Sequence, residues 1–403
     1  MPDIVADPRL TNARQAPRRP VRFGWSDPRL RSLVWQVVII GIVVAVVWFL
    51  VRNTNRNLAA RHIATGFGFL FQPASIPIGE TPIAYTASVS TYGRAILIGI
   101  LNTLKVAVLG IVLATILGTA VGIGRLSPNW LLARITAAYV EFVRDIPLLL
   151  QLFFWYGLLQ ALPAPRQAFH PLAGLFLSNR GIKLPALDWM PAHSFAVLAL
   201  LVGLICLYAW SHFADRRQAA TGRRPPTWPA AILCIIVLPV GVWAASGAPF
   251  HLDLPALHGF NFQGGTTVTP EYGALLIGLV VYTATYIAEI VRSGILAVPP
   301  GQWEAAGALG LHRGLVLRQI VLPQALRVII PPMASQYLNL IKNSSLAVAI
   351  GYQDIVSIAD TTLNQTGQAI EGIAIIMGVY LCFSLSISAF MNWYNAHLML
   401  RTR

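Results

Sequence analysis

The chain has 403 residues, of which 56% are hydrophobic and only 11% carry a charge, and its mean hydropathy is +0.64. Soluble domains carry about 25% charged residues, so an ordinary water-soluble protein is excluded and lipid is the solvent. The net charge of +14 does not indicate nucleic acid, because the basic residues are scattered between apolar runs and no basic helix is interleaved with aromatics.

The chain opens on a polar, Arg-rich arm over 1–32, expected to lie in the cytoplasm. The apolar run Leu33–Val51 follows without a small-residue cleavage site, so it reads as a retained first span. Seven further apolar segments come after it: Val106–Gly124, Ile146–Leu162, Phe195–Trp210, Ala230–Ala245, Ala274–Ile290, a broken one over Val328–Gly351, and Ile373–Phe390. An all-α integral membrane protein of about eight helices is expected, each segment being near the ~20 residues a span needs. The three cysteines, Cys206, Cys234 and Cys382, lie inside apolar stretches with no metal or disulfide spacing.

Lys and Arg near span ends are retained on the cytoplasmic side. With a cytoplasmic N-terminus, the inner segments hold 20 basic residues and the outer ones 7, so both termini are expected inside. The chain divides into the arm, a first span with its outer loop over 33–94, and a membrane domain over 95–403. Within that domain, 163–272 reads as an insertion of two polar loops around a hydrophobic hairpin, and 292–327 as a long inner loop.

That inner loop is the most informative segment. Pro299, Pro300 and Gly301 stop the preceding helix, good helix formers run from Gln302 to Leu309, and Gly310 is placed to end the run in a left-handed turn. Ala305, Ala306 and Gly307 allow close approach of another surface, while Trp303, Leu309 and Leu311 supply apolar anchors. A short docking helix is expected.

Glu304, Ala305 and Ala306, then Gly310, then Ile320, Leu322 and Pro323 fill every fixed position of the E-A-A-x-x-x-G-x9-I-x-L-P loop. This resembles the loop of permeases from binding-protein-dependent ABC importers. The runs Tyr139–Phe154, Tyr282–Ile295 and Leu340–Leu346 are similar to signatures of polar amino-acid permeases, although Asp145 and Ile146 stand where Gly and Thr are usual. With its first span and inserted hairpin, the chain is most similar to the longer general L-amino-acid permease form.

The resemblance implies a type I importer core and an ATPase-coupling surface at Trp303, Glu304, Ala305, Ala306, Leu309, Gly310 and Pro323. It also implies four kinds of partner: a second, homologous permease, two cytoplasmic ATPases, a periplasmic amino-acid-binding protein, and the bilayer of the bacterial inner membrane. The longer form favours a different rather than an identical second permease. ATP and Mg would reside on the ATPase, with no cofactor, metal or catalytic residue in this chain. Importers of opines or other small polar solutes, and a stand-alone secondary transporter or channel, are the alternatives.

A charge at the bilayer centre costs about 2.5–3.5 kcal/mol on insertion scales and needs a partner or a wet cavity. Glu289 lies on a polar stripe with Tyr282 and Tyr286, and Lys342 leads into Asn343 and Ser344. Tyr286, Glu289, Lys342, Asn343 and Ser344 are therefore candidates to line a solute path, a carboxylate suiting an ammonium and a lysine suiting a carboxylate. Alternatively Glu289 and Lys342 pair with each other, or with backbone at the cytoplasmic end. Pro331 and Pro332 are expected to kink or break their span, Lys105 to snorkel to the interface, and Glu141, Arg144 and Asp145 to form a local ion pair. The lysines are followed by Val, Leu and Asn, so no Walker-type phosphate loop is possible, and neither H-E-x-x-H nor G-x-S-x-G occurs.

Overall fold

The computed structural model describes residues 28–60, 65–172, 174–223 and 225–400. Most of the basic arm, the arginine at 224 and the last three residues of the tail lie outside them. Two compact units divide at Phe67 and Gly68. The first holds α1 (Pro28–Ala60), which is apolar around its circumference, with Trp35 and Phe49 exposed, as suits a helix facing lipid.

The second unit holds α2 (Tyr92–Gly124), α3 (Trp130–Asp145), α4 (Leu148–Gln160), α5 (Pro191–Thr221), α6 (Trp228–Ile232), α7 (Leu238–Ala245), α8 (Pro270–Leu296), α9 (Pro300–Ala308), α10 (Arg313–Val316), α11 (Leu322–Asn343), α12 (Ile355–Thr366) and α13 (Ala369–Leu400). A π-helical turn joins α6 to α7 and another joins α10 to α11. Among the described residues, seven helical stretches are long and apolar enough to cross a membrane, or eight if the bent pair α3 and α4 forms one span.

That bent pair departs from expectation, since α3 falls between the apolar segments Val106–Gly124 and Ile146–Leu162, where no span is expected. Asn129 caps α3 by accepting from the backbone N–H of Leu131 and Leu132, and Pro147 separates the helices at a bend of 103°. The arginine and acidic residues make α3 too polar to register as a span, although its apolar face supports a helix.

The centre of the fold is the parallel pair α2 and α8. A Cβ on Gly118 would lie 2.6 Å from Ile287 Cβ and 2.8 Å from the Ala284 carbonyl oxygen, so the two backbones approach as closely as only glycine allows. Around the pair, α11 packs on α8, α4 on the N-terminal half of α8, α12 on α2, and α13 on α11 and α12. The helix α11 runs unbroken through Pro331 and Pro332. Both prolines are exposed, so the rings stand away from the packed face, and the irregular turns fall at its two ends instead.

The insertion holds more order than two loops and a hairpin. The hairpin is present, with Gly203 of α5 set directly against the Cys234 carbonyl, where any side chain would collide. Its flanking loops fold onto each other. Strands β1 (Phe169–Leu172), β2 (Leu175–Ser178) and β3 (Gly181–Leu184) form an antiparallel sheet. It is completed by β8 (Thr266–Val268) from beyond the hairpin, with Ile182 opposite Val268. β4 (Ala186–Leu187) pairs with β5 (Leu252–Asp253), while β6 (Ala256–His258) and β7 (Asn261–Gln263) form a separate hairpin. From β8 the chain enters α8 through Thr269, whose hydroxyl caps the helix at Tyr272 N.

Candidate coupling loop and polar cavity

Pro300 occupies the first turn of α9, where its missing N–H costs nothing. The helix ends as the sequence requires: Leu309 N–H donates to Ala305 O, Gly310 has φ +69°, and Leu311 N–H returns to Ala306 O. Ala306 is buried with Val298, Val316 and Val321 in a cluster that continues into Ile287 and Val291 of α8 and Ile329 and Met333 of α11. Glu304, Ala305, Gly307 and Leu309 point outward. Gln324 Nε2 donates to Gln302 Oε1 at 3.4 Å, and Pro323 sits at the base of α11 beside it. The expected docking face is thus split: Ala306 anchors the helix to its own bundle, and Glu304, Ala305, Gly307 and Leu309 are free. Trp303, 37% exposed, turns onto an apolar cavity against α2 and α3.

Between α8 and α11 lies a polar cavity of about 240 Å³ lined by Tyr282, Thr283, Tyr286, Gln336, Asn339 and Asn343. The Tyr282 and Tyr286 hydroxyls are 2.9 Å apart, and the Arg144 guanidinium lies 4.9 Å from the Tyr286 ring centre, in place of the ion pair expected with Glu141 or Asp145. The structure brings together Tyr286 and Asn343. Ser344 is buried, and its hydroxyl donates to Ile341 O at 2.7 Å. Lys342 is exposed and does not line the cavity. Gln336 and Asn339 were missed by sequence reasoning. Their signal is the Q-x-x-N-x-x-x-N spacing over 336–343, which sets three amides on one helix face.

Glu289 lies toward the α9 end, and its partner is not Lys342. It forms ion pairs with Arg125, the C-cap residue of α2, and with Arg292 Nη2 at 2.9 Å. The long span of α8 is therefore tied to α2 by charge at this end and by glycine packing above it.

A second polar network closes the opposite end. Lys105, expected to reach the interface, has its half-exposed side chain directed to Glu80, with Nζ 2.9 Å from Glu80 Oε2 and over the Tyr272 ring. Thr269 Oγ1 donates to Glu80 Oε1 at 2.5 Å, and Asn102 Nδ2 donates to the carbonyls of Glu80 and Gln353. Gln353 fastens the same loop, donating to Pro77 O and accepting from Gly79 N. An open cavity of about 430 Å³ results, with Glu80, Glu271 and Tyr352 in its wall. Beneath it, Asp354 is fully buried; Oδ1 accepts from Ser357 N at 2.8 Å to cap α12. Desolvation pushes its carboxyl up to about 7, against the opposing effect of the backbone N–H groups around it. Among the described residues no three His, Cys, Asp or Glu side chains converge as a metal site would need.

Residues 225–403 match the model of the binding-protein-dependent transport system inner membrane component. Relatives align over nearly the whole length. The chain is 49% identical to the general L-amino acid transport system permease protein AapQ of Rhizobium johnstonii, over 94% of this chain and 96% of AapQ. It is 48% identical to YhdX of Escherichia coli (strain K12), over 94% of this chain and 97% of YhdX. With the glutamate/glutamine/aspartate/asparagine transport system permease protein BztB of Rhodobacter capsulatus it shares 41% identity, over 94% of this chain and 96% of BztB. The insertion therefore aligns with residues of these relatives, and this multi-span chain belongs to the family of amino-acid ABC transporter permeases.

Proposed function

We propose that this chain carries L-amino acids across the bacterial inner membrane as one of two permeases in an ATP-driven importer. A periplasmic binding protein delivers the solute at the end bearing Glu80 and Glu271, and cytoplasmic ATPases dock on α9, with both chain termini inside. The observation that carries the reading is the construction of α9: a rigid helix, anchored by Ala306 to the cluster that holds α8 and α11, presenting Glu304, Ala305, Gly307 and Leu309 outward. A push on that face moves the bases of both helices together, because a packed core transmits displacement.

The solute path runs by the cavity of Tyr282, Tyr286, Gln336, Asn339 and Asn343. Its hydroxyls and amides can serve both ends of a zwitterion. Of the residues Lys342, Asn343 and Ser344, Asn343 is the one that lines this wall, while Lys342 is exposed outside it and the Ser344 hydroxyl donates to Ile341 O. The carboxylate of Glu289 is engaged by two arginines in this arrangement, so it reaches a solute ammonium only when α2 and α8 part. ATP binding to the partner favours one arrangement of the helices over the other by its differential affinity for the two.

Reconstitution tests the reading. Proteoliposomes holding this chain, its partner permease and the ATPases should accumulate a radiolabelled L-amino acid only with both ATP inside and binding protein outside. Flux through this chain alone, without ATP, would overturn it.

A further inference from the structure

Arg144 stands at the bend between α3 and α4, and the bend is fixed on both sides of it. Val143 O lacks its helical donor because residue 147 is a proline. Gln151, only 7% exposed, supplies the missing bond: its Nε2 donates to Val143 O at 2.8 Å and to Ile146 O at 2.9 Å. One turn before Val143, the Tyr139 hydroxyl donates to Val281 O at 2.8 Å and pins α3 to α8. The Arg144 guanidinium is thereby carried over the ring of Tyr286, 4.9 Å from its centre, and its charge also reaches the Tyr282 hydroxyl. Tyr286 stands ten residues before Leu296, the last of α8, about 15 Å along the axis by helical rise. An arginine at such a depth is kept only against a partner or a wet cavity.

Among the described residues Arg144 is in no ion pair and its guanidinium meets no hydrogen-bond acceptor, although Glu141 and Asp145 are its neighbours in the chain. Both tyrosines that sense it are wall residues of the polar cavity of about 240 Å³. The rest of that wall is neutral, and the side-chain amides of Gln336, Asn339 and Asn343 have no hydrogen-bond partner among the described residues. One of the two tyrosine hydroxyls donates to the other, which leaves one hydroxyl proton free. The cavity thus offers uncommitted donors and acceptors but no charge of its own. Glu289 is taken by two arginines and Lys342 is exposed outside the wall, so the charge set against the cavity is that of Arg144, which reaches its wall from α3 without lining it. A guanidinium packed on an aromatic face keeps its edge N–H groups open, in a planar fork that matches a carboxylate. We infer that Arg144 binds the carboxylate of the zwitterionic solute at this cavity, with Tyr286 as the platform that holds its guanidinium, an assignment that rests on reading the cavity as the solute path.

The test reads binding to the assembled transporter without its binding protein, so that selection by the latter does not enter. Equilibrium dialysis with radiolabelled L-glutamine is run in competition with unlabelled L-glutamine and with L-glutaminamide, in which a neutral amide replaces the carboxylate. The native assembly should prefer L-glutamine by about tenfold or more, the discrimination that a charge-assisted bidentate contact gives. Arg144→Gln should erase the preference by weakening L-glutamine alone, with the affinity for L-glutaminamide little changed; the position is exposed, so the shorter side chain is accommodated. Arg144→Lys brings the charge without the fork and should keep a reduced preference, and it decides the matter where the glutamine variant does not assemble. Either variant weakening both compounds equally, or leaving the preference at its native value, would overturn the inference and make Arg144 a packing partner of Tyr286. A native assembly that binds both compounds equally would overturn the inference alone, whereas one that binds neither would overturn the solute-path reading and this inference with it.

Discussion

Glu289 of α8 accepts from Arg125 at the end of α2 and from Arg292 one turn onward, so a single carboxylate ties together two of the membrane domain's central helices just ahead of the loop that carries α9. The contact with Arg125 joins residues 164 positions apart, and both side chains are largely shielded from solvent.

Removing one partner of such a pair leaves the other shielded and uncompensated. Arg125→Ala and Glu289→Gln should each destabilise the detergent-solubilised transporter by about 1 to 3 kcal/mol, and the double variant should cost less than the sum of the two. Glu289→Gln should also reduce uptake while assembly with the ATPase survives. Thermal unfolding of the four-member cycle, with uptake measured alongside, checks both statements; unchanged uptake kinetics would remove Glu289 from the pathway.

The contact of α2 with α8 should be intolerant of volume. A valine at Gly118 would overlap Ile287 and the Ala284 carbonyl, and overpacking typically costs about 1 to 3 kcal/mol, more where backbone must move. Gly118→Val should fail to yield a monodisperse peak in size-exclusion chromatography. Gly301→Ala, at an exposed position with open space around it, should behave as the native chain.

Asp354 gives the stability a pH dependence of defined sign. Its carboxyl is raised from 3.8 to about 7 in the folded chain, so between those values the unfolded chain has lost a proton that the folded one keeps. Stability falls as pH rises through that window and levels off above it. The full cost is about 4 kcal/mol at 1.36 kcal/mol per unit. Asp354→Asn keeps an acceptor for Ser357 N and removes the charge. It should raise the melting temperature at pH 8 by several degrees and flatten the profile between pH 4 and 7, as read by a thermal-shift series.

The pairing of the two inserted loops makes a direct geometric prediction. Ile182 and Val268 lie opposite each other on β3 and β8, and directly opposed strand residues fall within disulfide reach. The Ile182→Cys, Val268→Cys double variant should cross-link under mild oxidation, tying residue 182 to residue 268 across the hairpin. Protease nicking within the hairpin turn followed by non-reducing electrophoresis detects the link.

Signals local in the chain were legible in the sequence; those that depend on distant partners were not. The α9 helix followed from Pro300, the run of helix formers and Gly310, all within eleven residues. Most spans followed from apolar length alone. The strands of the insertion run only two to four residues, too few for an alternating pattern to register, and β3 meets β8 across more than 80 residues. Glu80 was passed over because nothing in its own neighbourhood marks it; its importance comes from Lys105, Thr269 and Asn102. The partner of Lys105 was missed for the same reason, since the Glu80 carboxylate is carried to it from 25 residues away. Glu289 was identified as a charge in need of a partner and matched to Lys342 or to backbone; Arg125, 164 positions away, carries no local signal that pairs it with this carboxylate.

The central claim is that the outward face of α9 receives the ATPase. A photo-reactive residue placed at Glu304, in the purified and ATP-hydrolysing assembly, should form a covalent adduct with the ATPase whose yield changes between nucleotide-free and ATP-trapped states. The same probe at Ala306, which is buried against this chain's own core, should form none. An assembly that remains active while Glu304 yields no ATPase adduct in either state would contradict the account.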